Sequence, residues 1–294
     1  MAPDENTARA DDETAERLTN EVRNRAETLD PQRAENYRNT FAPAMSRLVV
    51  GDVLPAGWEG FYFPFASGID GLRPDGTPLD DVVPDFGLPR RMYAGEDTVF
   101  HRPLRLGETV EQTESLGVVK EKNGNRGRLV FADIERTYSV GGELAIETVW
   151  HDVFLGESSG ALEGSEPTFD HVRLGEEWQT STFAPDSRHL FRFSAITFNT
   201  HRVHYDLEWA QEAERLPGLL VHGPLTRNLL LDAVISSHSG GQPATFGFTA
   251  SAPLFVDHAI TLAVRDQENG ETEALALNDQ GGVAARGIAR WAGR

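Results

Sequence analysis

Two long stretches rich in β-branched and aromatic residues, 127–155 and 271–291, each turn on a glycine pair, Gly141-Gly142 and Gly281-Gly282. Paired glycines supply the positive φ of a tight turn, so each stretch predicts two antiparallel strands. Segments 97–113 and 244–265 add strand patterns, and 189–197 reads as an apolar, alternating strand. Among them lies the clearest helical pattern, 224–237. Leu225, Leu229 and Val234 repeat at helical spacing, Leu230 and Ile235 broaden the stripe, and Gly240-Gly241 ends it. Pro224 suits a first helical position, which makes Gly223 the expected N-cap. Upstream, Ala15, Leu18, Val22 and Leu29 share one face of an expected helix that Pro31 limits, and 32–41 form a short second one.

The two halves are alike in outline. RLVVGD (47–52) and RPLRLGETV (102–110) are matched in order by HVRLGE (171–176) and APLFVDHAI (252–260), and each half closes on its Gly-Gly hairpin. The reading is an α+β chain in which one unit, an antiparallel sheet wrapped round a helix, occurs twice. GESSGALEGSEP (156–167) has linker composition. The expected division is a helical extension over 1–45, a first unit over 46–158 and a second over 168–294.

Composition narrows the function. With 39% hydrophobic residues the chain of 294 can build a core. Its 46 acidic and 27 basic side chains give a net charge of −19, which repels phosphate backbones and anionic membrane surfaces. Neither nucleic acid nor membrane is an expected partner. The absence of cysteine removes disulfides, thiolate catalysis and iron–sulfur clusters. Residues 1–17 are acidic and polar, without a basic n-region or apolar h-region, and no run of 18 apolar residues occurs, so a cytoplasmic location is expected. Only two basic residues are lysines, Lys120 and Lys122. That bias suits either a high-salt environment or a GC-rich genome.

The densest polar cluster is TFNTHRVHYD (197–206), which puts Asn199, His201, His204 and Asp206 within eight residues. Three readings compete. His201 and His204, three apart, could share a metal with a carboxylate, although this is not His-Glu-x-x-His, and no metal or cofactor is expected. The side chains could cap turns. Or one histidine is a general acid/base beside an amide that positions water. A second segment, VHGPLTRNLLL, places His222 and Gly223 where unpaired N–H groups at a helix start could stabilise an oxyanion.

In combination, FSAITFNTHRVHYD (193–206) and PGLLVHGPLTRNLLLD (217–232) resemble the MaoC-like hydratases and dehydratases of the hotdog superfamily. They are most similar to the branch of type 2 hydroxyacyl-thioester dehydratases and mesaconyl-C4-CoA (3-methylfumaryl-CoA) hydratases. PDFGLPRRMYAGEDTVFHRPLRLGE (84–108) resembles the N-terminal hotdog of that branch, so the likeness spans most of 40–294. It implies a double hotdog, with the motif in the second unit. Aligned on the family motif Asp-x-Asn-Pro-x-His-x-Asp, the catalytic histidine is His204 and the trailing aspartate Asp206. Asn199 stands at the catalytic aspartate, His201 at the asparagine, Arg202 at the proline, and Gly223 at the oxyanion-hole glycine. An amide takes up no proton, so the resemblance leaves acid/base work to His204, with His201 and His222 supporting it and Asn199 holding water.

The implied reaction is reversible addition of water to an α,β-unsaturated acyl-CoA. A mesaconyl-C4 unit going to citramalyl-CoA is the leading substrate and a fatty 3-hydroxyacyl chain the alternative. A hotdog thioesterase and a non-catalytic acyl-CoA binding module are the rival functions. Arg90, Arg91 and Arg202 are candidates for the CoA phosphates or a substrate carboxylate. FPFASGIDGLRPDG (63–76) has no histidine, so the first half is expected to shape the acyl pocket. Pairing of such chains into a homodimer fits the fold.

Overall fold

The computed structural model describes residues 21–79, 82–124, 127–156 and 169–292. Two aspartates start helices of 11 residues each. The Asp30 carboxylate accepts the Gln32 N–H and opens α1 (Pro31–Phe41), while Asp186 accepts the N–H groups of Arg188 and His189 and opens α2 (Ser187–Thr197). Each helix follows an edge strand, β1 (Val22–Thr28) or β7 (Gln179–Phe183). Between them run β2 (Arg90–Phe100), β3 (Thr109–Gly124), β4 (Gly127–Val140), β5 (Glu143–Leu155) and the short β6 (Asp170–His171). After α2 come α3 (Leu207–Glu212), α4 (Gly223–Ser237), β8 (Thr245–Ala250), β9 (Ile260–Asp266), β10 (Thr272–Leu277) and β11 (Gly282–Arg290).

All the strands join one antiparallel sheet in the order β1-β3-β4-β5-β2-β8-β11-β10-β9-β7, with β6 paired to β11. Exchanging β1, β3, β4, β5 and β2 for β7, β9, β10, β11 and β8 reproduces the order from the other end. The halves therefore meet at the β2–β8 pair about a pseudo-twofold. Their loops repeat as well. Leu54 N–H donates to Leu104 O and Val221 N–H to Leu254 O, both at 2.8 Å; Gly107 N–H donates to Leu29 O at 2.8 Å and Asp257 N–H to Pro185 O at 2.9 Å. Gly107 and Asp257 both carry positive φ. Segments 102–110 and 252–260 thus occupy equivalent places. Segments 47–52 and 171–176 do not, because the first follows α1 and the second precedes α2.

Past the shared loop the halves diverge. After Val221 the chain enters α4, whose residues Leu225 to Leu231 are all buried and which packs on β8–β11 and reaches β2. After Leu54 it makes only a 3-10 turn, Glu59–Tyr62. The main core joins α4 to the aromatic residues of that turn and of α1, notably Trp58, Phe61 and Tyr37.

Several expectations need correction. Val22–Thr28, expected as helix, is a strand that pairs with β3, which puts it in the first sheet; residues 1–20 of the expected helix lie outside the described residues. Its inner face carries Arg23 and Arg25, so it lacks the apolar alternation by which strands are recognised. Segment 189–197 is helix, not strand: Leu190 and Phe193 are its buried residues, three apart, and Asp186 and His189 form a capping box. Helix α4 starts one residue early, with His222 as N-cap and Gly223 as its first residue. The linker falls outside the described residues from 157 onward. Among the described residues no helix is long and apolar enough to cross a membrane.

Candidate active site

Helix α2 ends at Phe198, a left-handed residue with φ 52° that swings the chain out of the helix into 199–206. A loop of the first half clamps this segment. Arg202 N–H donates to Asp75 O at 2.7 Å and the Thr200 hydroxyl to Gly76 O at 2.7 Å. Gly76 combines φ +84° with a contact in which a Cβ would lie 1.9 Å from Thr200 O, so only glycine lets the backbones meet. A 3-10 turn, Arg202–His204, then directs His204 inward, where it is 6% exposed.

The His204 ring is held by its neighbours. Nδ1 lies 2.7 Å from Leu220 O, so it carries the proton and donates, which leaves Nε2 with a free lone pair. The ring stacks on His222 with centroids 3.6 Å apart, and His201 stands edge-on at 5.4 Å. His222 is fully buried, with Nε2 2.9 Å from Ser194 Oγ and Nδ1 unpartnered. All three rings are kept neutral. Burial, then the nearby His201, lowers His204 to about 3, despite its bond to Leu220 O. Burial, then Arg90 and Arg91, lowers His201 to about 4. Burial, then His204 and His201, puts His222 well below the ordinary imidazole range.

The other residues expected here are sorted by what holds them. The Asn199 side-chain carbonyl accepts the His201 N–H at 2.9 Å, which leaves its NH2 as donor. Gly223 is the first residue of α4, where an N–H has no intrahelical acceptor. A Cβ on it would sit 2.5 Å from Tyr93 Cδ1, so the residue must be glycine for Tyr93 to close over the helix start. Asp206 caps α3 through Trp209 N–H and binds Arg202 at 2.7 Å. Arg202, stacked over Trp209, is therefore committed, and Arg90 is bound to Glu214 at 2.5 Å. Arg91 is buried against Asp152, with Nε to carboxylate 2.7 Å, yet its Nη1 has no partner.

One cleft of about 100 Å³ brings together His204, His201, Asn199, Gly223 and Arg91. It does not bring in Arg90, Arg202 or Asp206. Its remaining walls include Tyr93 and Trp150, whose rings lie 4.3 Å apart. These two, and Asp75 with Oδ2 3.9 Å from His201 Nε2, are site residues that motif reasoning missed. The Asp-Gly turn at 75–76 was a visible signal of the clamp; Tyr93 and Trp150 depend on β2–β5 register, which the sequence does not display. Among the described residues no group of three or more acidic or histidine side chains is arranged to hold a metal ion. The cleft offers a neutral imidazole base, an amide donor and a helix-start N–H around one space. That set can move a proton beside a carbonyl whose oxygen gains negative charge.

Comparison with known proteins gives the same direction. The family profile for hydroxyacyl-thioester dehydratase type 2 matches residues 57–256. The chain is 35% identical over 248 residues to the mesaconyl-C(4)-CoA hydratase of Chloroflexus aurantiacus, covering 84% of this chain and 86% of that one. A solved MaoC-like dehydratase superposes with TM-score 0.69 at 15% identity, covering 94% of this chain and 99% of that one. A Mycobacterium tuberculosis protein described as a double hotdog superposes with TM-score 0.57 at 12% identity, covering 92% and 95%. The pseudo-twofold sheet is accordingly a double hotdog.

Proposed function

Because the chain belongs to the hydroxyacyl-thioester dehydratase type 2 family, we propose that it adds water reversibly to an α,β-unsaturated acyl-CoA thioester, with mesaconyl-C4-CoA as substrate and citramalyl-CoA as product. The observation that carries the reading is that His204, neutral and with Nε2 left free by the Nδ1 bond to Leu220 O, and Gly223 at the start of α4 line one cleft.

The thioester oxygen sits at the Gly223 N–H, where the positive end of α4 meets it. His204 Nε2 takes a proton from a water held by the Asn199 NH2, and the hydroxide forms a bond to the β-carbon. The π electrons move to the thioester as an enolate, whose oxygen the Gly223 N–H stabilises. His204 then returns its proton to the α-carbon, so the sum is one water added. Each such donor is worth about 2.7–4 kcal/mol to the barrier. The unpartnered Arg91 Nη1 suits a pantetheine amide carbonyl on the approach to the site. A CoA thioester substrate agrees with action in the cytosol.

The test is mass spectrometry after incubation of the purified protein with mesaconyl-C4-CoA, crotonyl-CoA and a long-chain enoyl-CoA in H₂¹⁸O. One labelled water gained with the thioester intact, fastest on mesaconyl-C4-CoA, is the expected result. Release of free CoA would make the protein a thioesterase and overturn the reading.

A further inference from the structure

Beyond the catalytic cleft lies a second cavity of about 90 Å³ that shares four walls with it, Phe65, Trp150, Asn199 and Pro224. His204 and Gly223 line only the first. With the thioester held at Gly223, the part of the acyl group past the β-carbon crosses the Asn199–Pro224 boundary and enters the second cavity. This step rests on the hydratase reading.

Its lining sets Phe61, Phe63, Phe65 and Phe193 beside a block of charged and polar side chains. A row of inward-facing polar residues crosses the first half of the sheet in register. Arg23 on β1 opposes Glu114 on β3, Glu114 opposes Arg136 on β4, Arg136 opposes Thr148 on β5, and Thr148 opposes Thr98 on β2. Beside it, Arg25 opposes Gln112 and Gln112 opposes Tyr138. Arg227 on α4 closes the ring through Glu96 at 3.1 Å and Thr98. Burying such groups is unfavourable unless each is paired or serves a ligand.

The pairing among the described residues leaves Arg25 without a carboxylate. Four guanidinium groups, Arg23, Arg25, Arg136 and Arg227, line the cavity against three carboxyl groups, Glu59, Glu96 and Glu114. Glu114 binds Arg23 and Arg136, and Glu96 binds Arg227. Burial pushes Glu59 up to about 7, so it supplies less than a full charge at neutral pH. Arg25 bonds only neutral acceptors: Gln112 Oε1 at 2.7 Å, Pro64 O at 2.6 Å and Phe63 O at 3.3 Å. Among the described residues no carboxylate pairs with it, in a chain whose net charge is −19. Tyr138, whose hydroxyl accepts from Gln112 Nε2, keeps its own proton to donate.

We propose that this cavity receives an acyl chain that ends in a carboxylate, with Arg25 as counter-ion and the Tyr138 hydroxyl as second donor. Specificity for a dicarboxylic acyl unit then resides in the first half of the chain, and chemistry in the second. A fatty chain would leave the Arg25 guanidinium buried without a counter-charge, which is a basis for rejection.

Calorimetric binding of succinyl-CoA and butyryl-CoA tests this apart from catalysis, because the two saturated thioesters differ only in a terminal carboxylate against methyl. Wild-type protein is expected to prefer succinyl-CoA by tenfold or more. Arg25→Met should erase that preference through weaker succinyl-CoA binding, and Arg25→Lys should retain part of it. Wild-type protein that binds both equally, or an Arg25→Met protein that keeps the preference, overturns the proposal. If the wild type shows the preference but hydrates no enoyl-CoA, the function above fails and the carboxylate site stands. Should Arg25→Met not fold, as judged by circular dichroism, Arg25→Lys and the wild-type comparison still decide.

Discussion

His204 lies face to face on His222, centroids 3.6 Å apart and planes 20° from parallel, so the proposed base rests on the N-cap residue of α4. Ser194 of α2 fixes His222 in turn. The stack ties the proposed base to the helix whose first N–H is the proposed oxyanion donor. His204→Ala is expected to lower kcat by about 10²–10⁴-fold. His222→Ala leaves the base present but unsupported, and is expected to lower kcat about tenfold with little change in KM. Steady-state kinetics on the hydrated substrate separates the two effects; equal losses would remove the distinction between base and support.

The depressed pKa values have consequences for pH. His204 stays neutral down to about 3 and His201 to about 4. The acid limb of kcat/KM should therefore lie well below the ordinary imidazole value of about 6.5. A pH–rate profile that falls with an apparent pKa near 6.5 would exclude His204 as a base in this environment. Stability has the same sign. Between about 6.5 and 4 the unfolded chain binds protons at these histidines and the folded one does not, so the contribution is complete above 6.5 and is lost as pH falls. Urea melts at pH 7 and pH 5 should show that slope, and His201→Asn should reduce it.

How each element is stabilised decides whether the sequence displays it. Helix α4 was legible because its leucines repeat at helical spacing and Pro224 and Gly240 mark its ends. The hairpins at Gly141-Gly142 and Gly281-Gly282 were legible because both first glycines need positive φ. That His204, Asn199 and Gly223 share one cleft was legible, since they fall in two short segments. Strand β1 was not, because its inner face is Arg23 and Arg25, and an inward arginine has no hydrophobic signature. Tyr93, Trp150 and Arg25 were hidden for a related reason: strand register on β2, β5 and β1, not a motif, brings them to the two cavities. The three arginines proposed from the sequence likewise divide by tertiary pairing, with only Arg91 keeping a free donor on the cleft.

Gly223→Ala separates the steric role of that glycine from the chemical one. The added Cβ would meet Tyr93 Cδ1 at 2.5 Å, so Tyr93 or the start of α4 must move. Displacing the oxyanion donor is expected to lower kcat by about 10²–10³-fold. Combining it with Tyr93→Ala removes the clash. Recovery of most of the lost kcat in the double variant would show that the ring contact displaces the donor; no recovery would mean that the added Cβ itself, not the Tyr93 contact, disturbs the site. Thermal melts of all three variants check that the fold persists.

Glu59 is 2% exposed, and burial raises its carboxyl to about 7 against the opposing charge of Arg227. In the folded protein it holds a proton that the unfolded chain releases near the ordinary glutamate value of about 4.3. Its contribution to stability is thus complete below that value and is lost as pH rises through 7. Glu59→Gln keeps an acceptor for the Gly57 N–H, which Glu59 now accepts at 2.9 Å, and carries no proton to lose. The variant should be no more stable than wild type near pH 4.5. By pH 8 its relative stability should have risen by on the order of 1–3 kcal/mol, the span of a shift of that size in a buried group. Urea unfolding at the two pH values measures the difference directly. A difference that stays constant with pH would mean that Glu59 is ionised throughout. Arg25 would still bond only neutral acceptors among the described residues and would remain the guanidinium free to meet a ligand carboxylate.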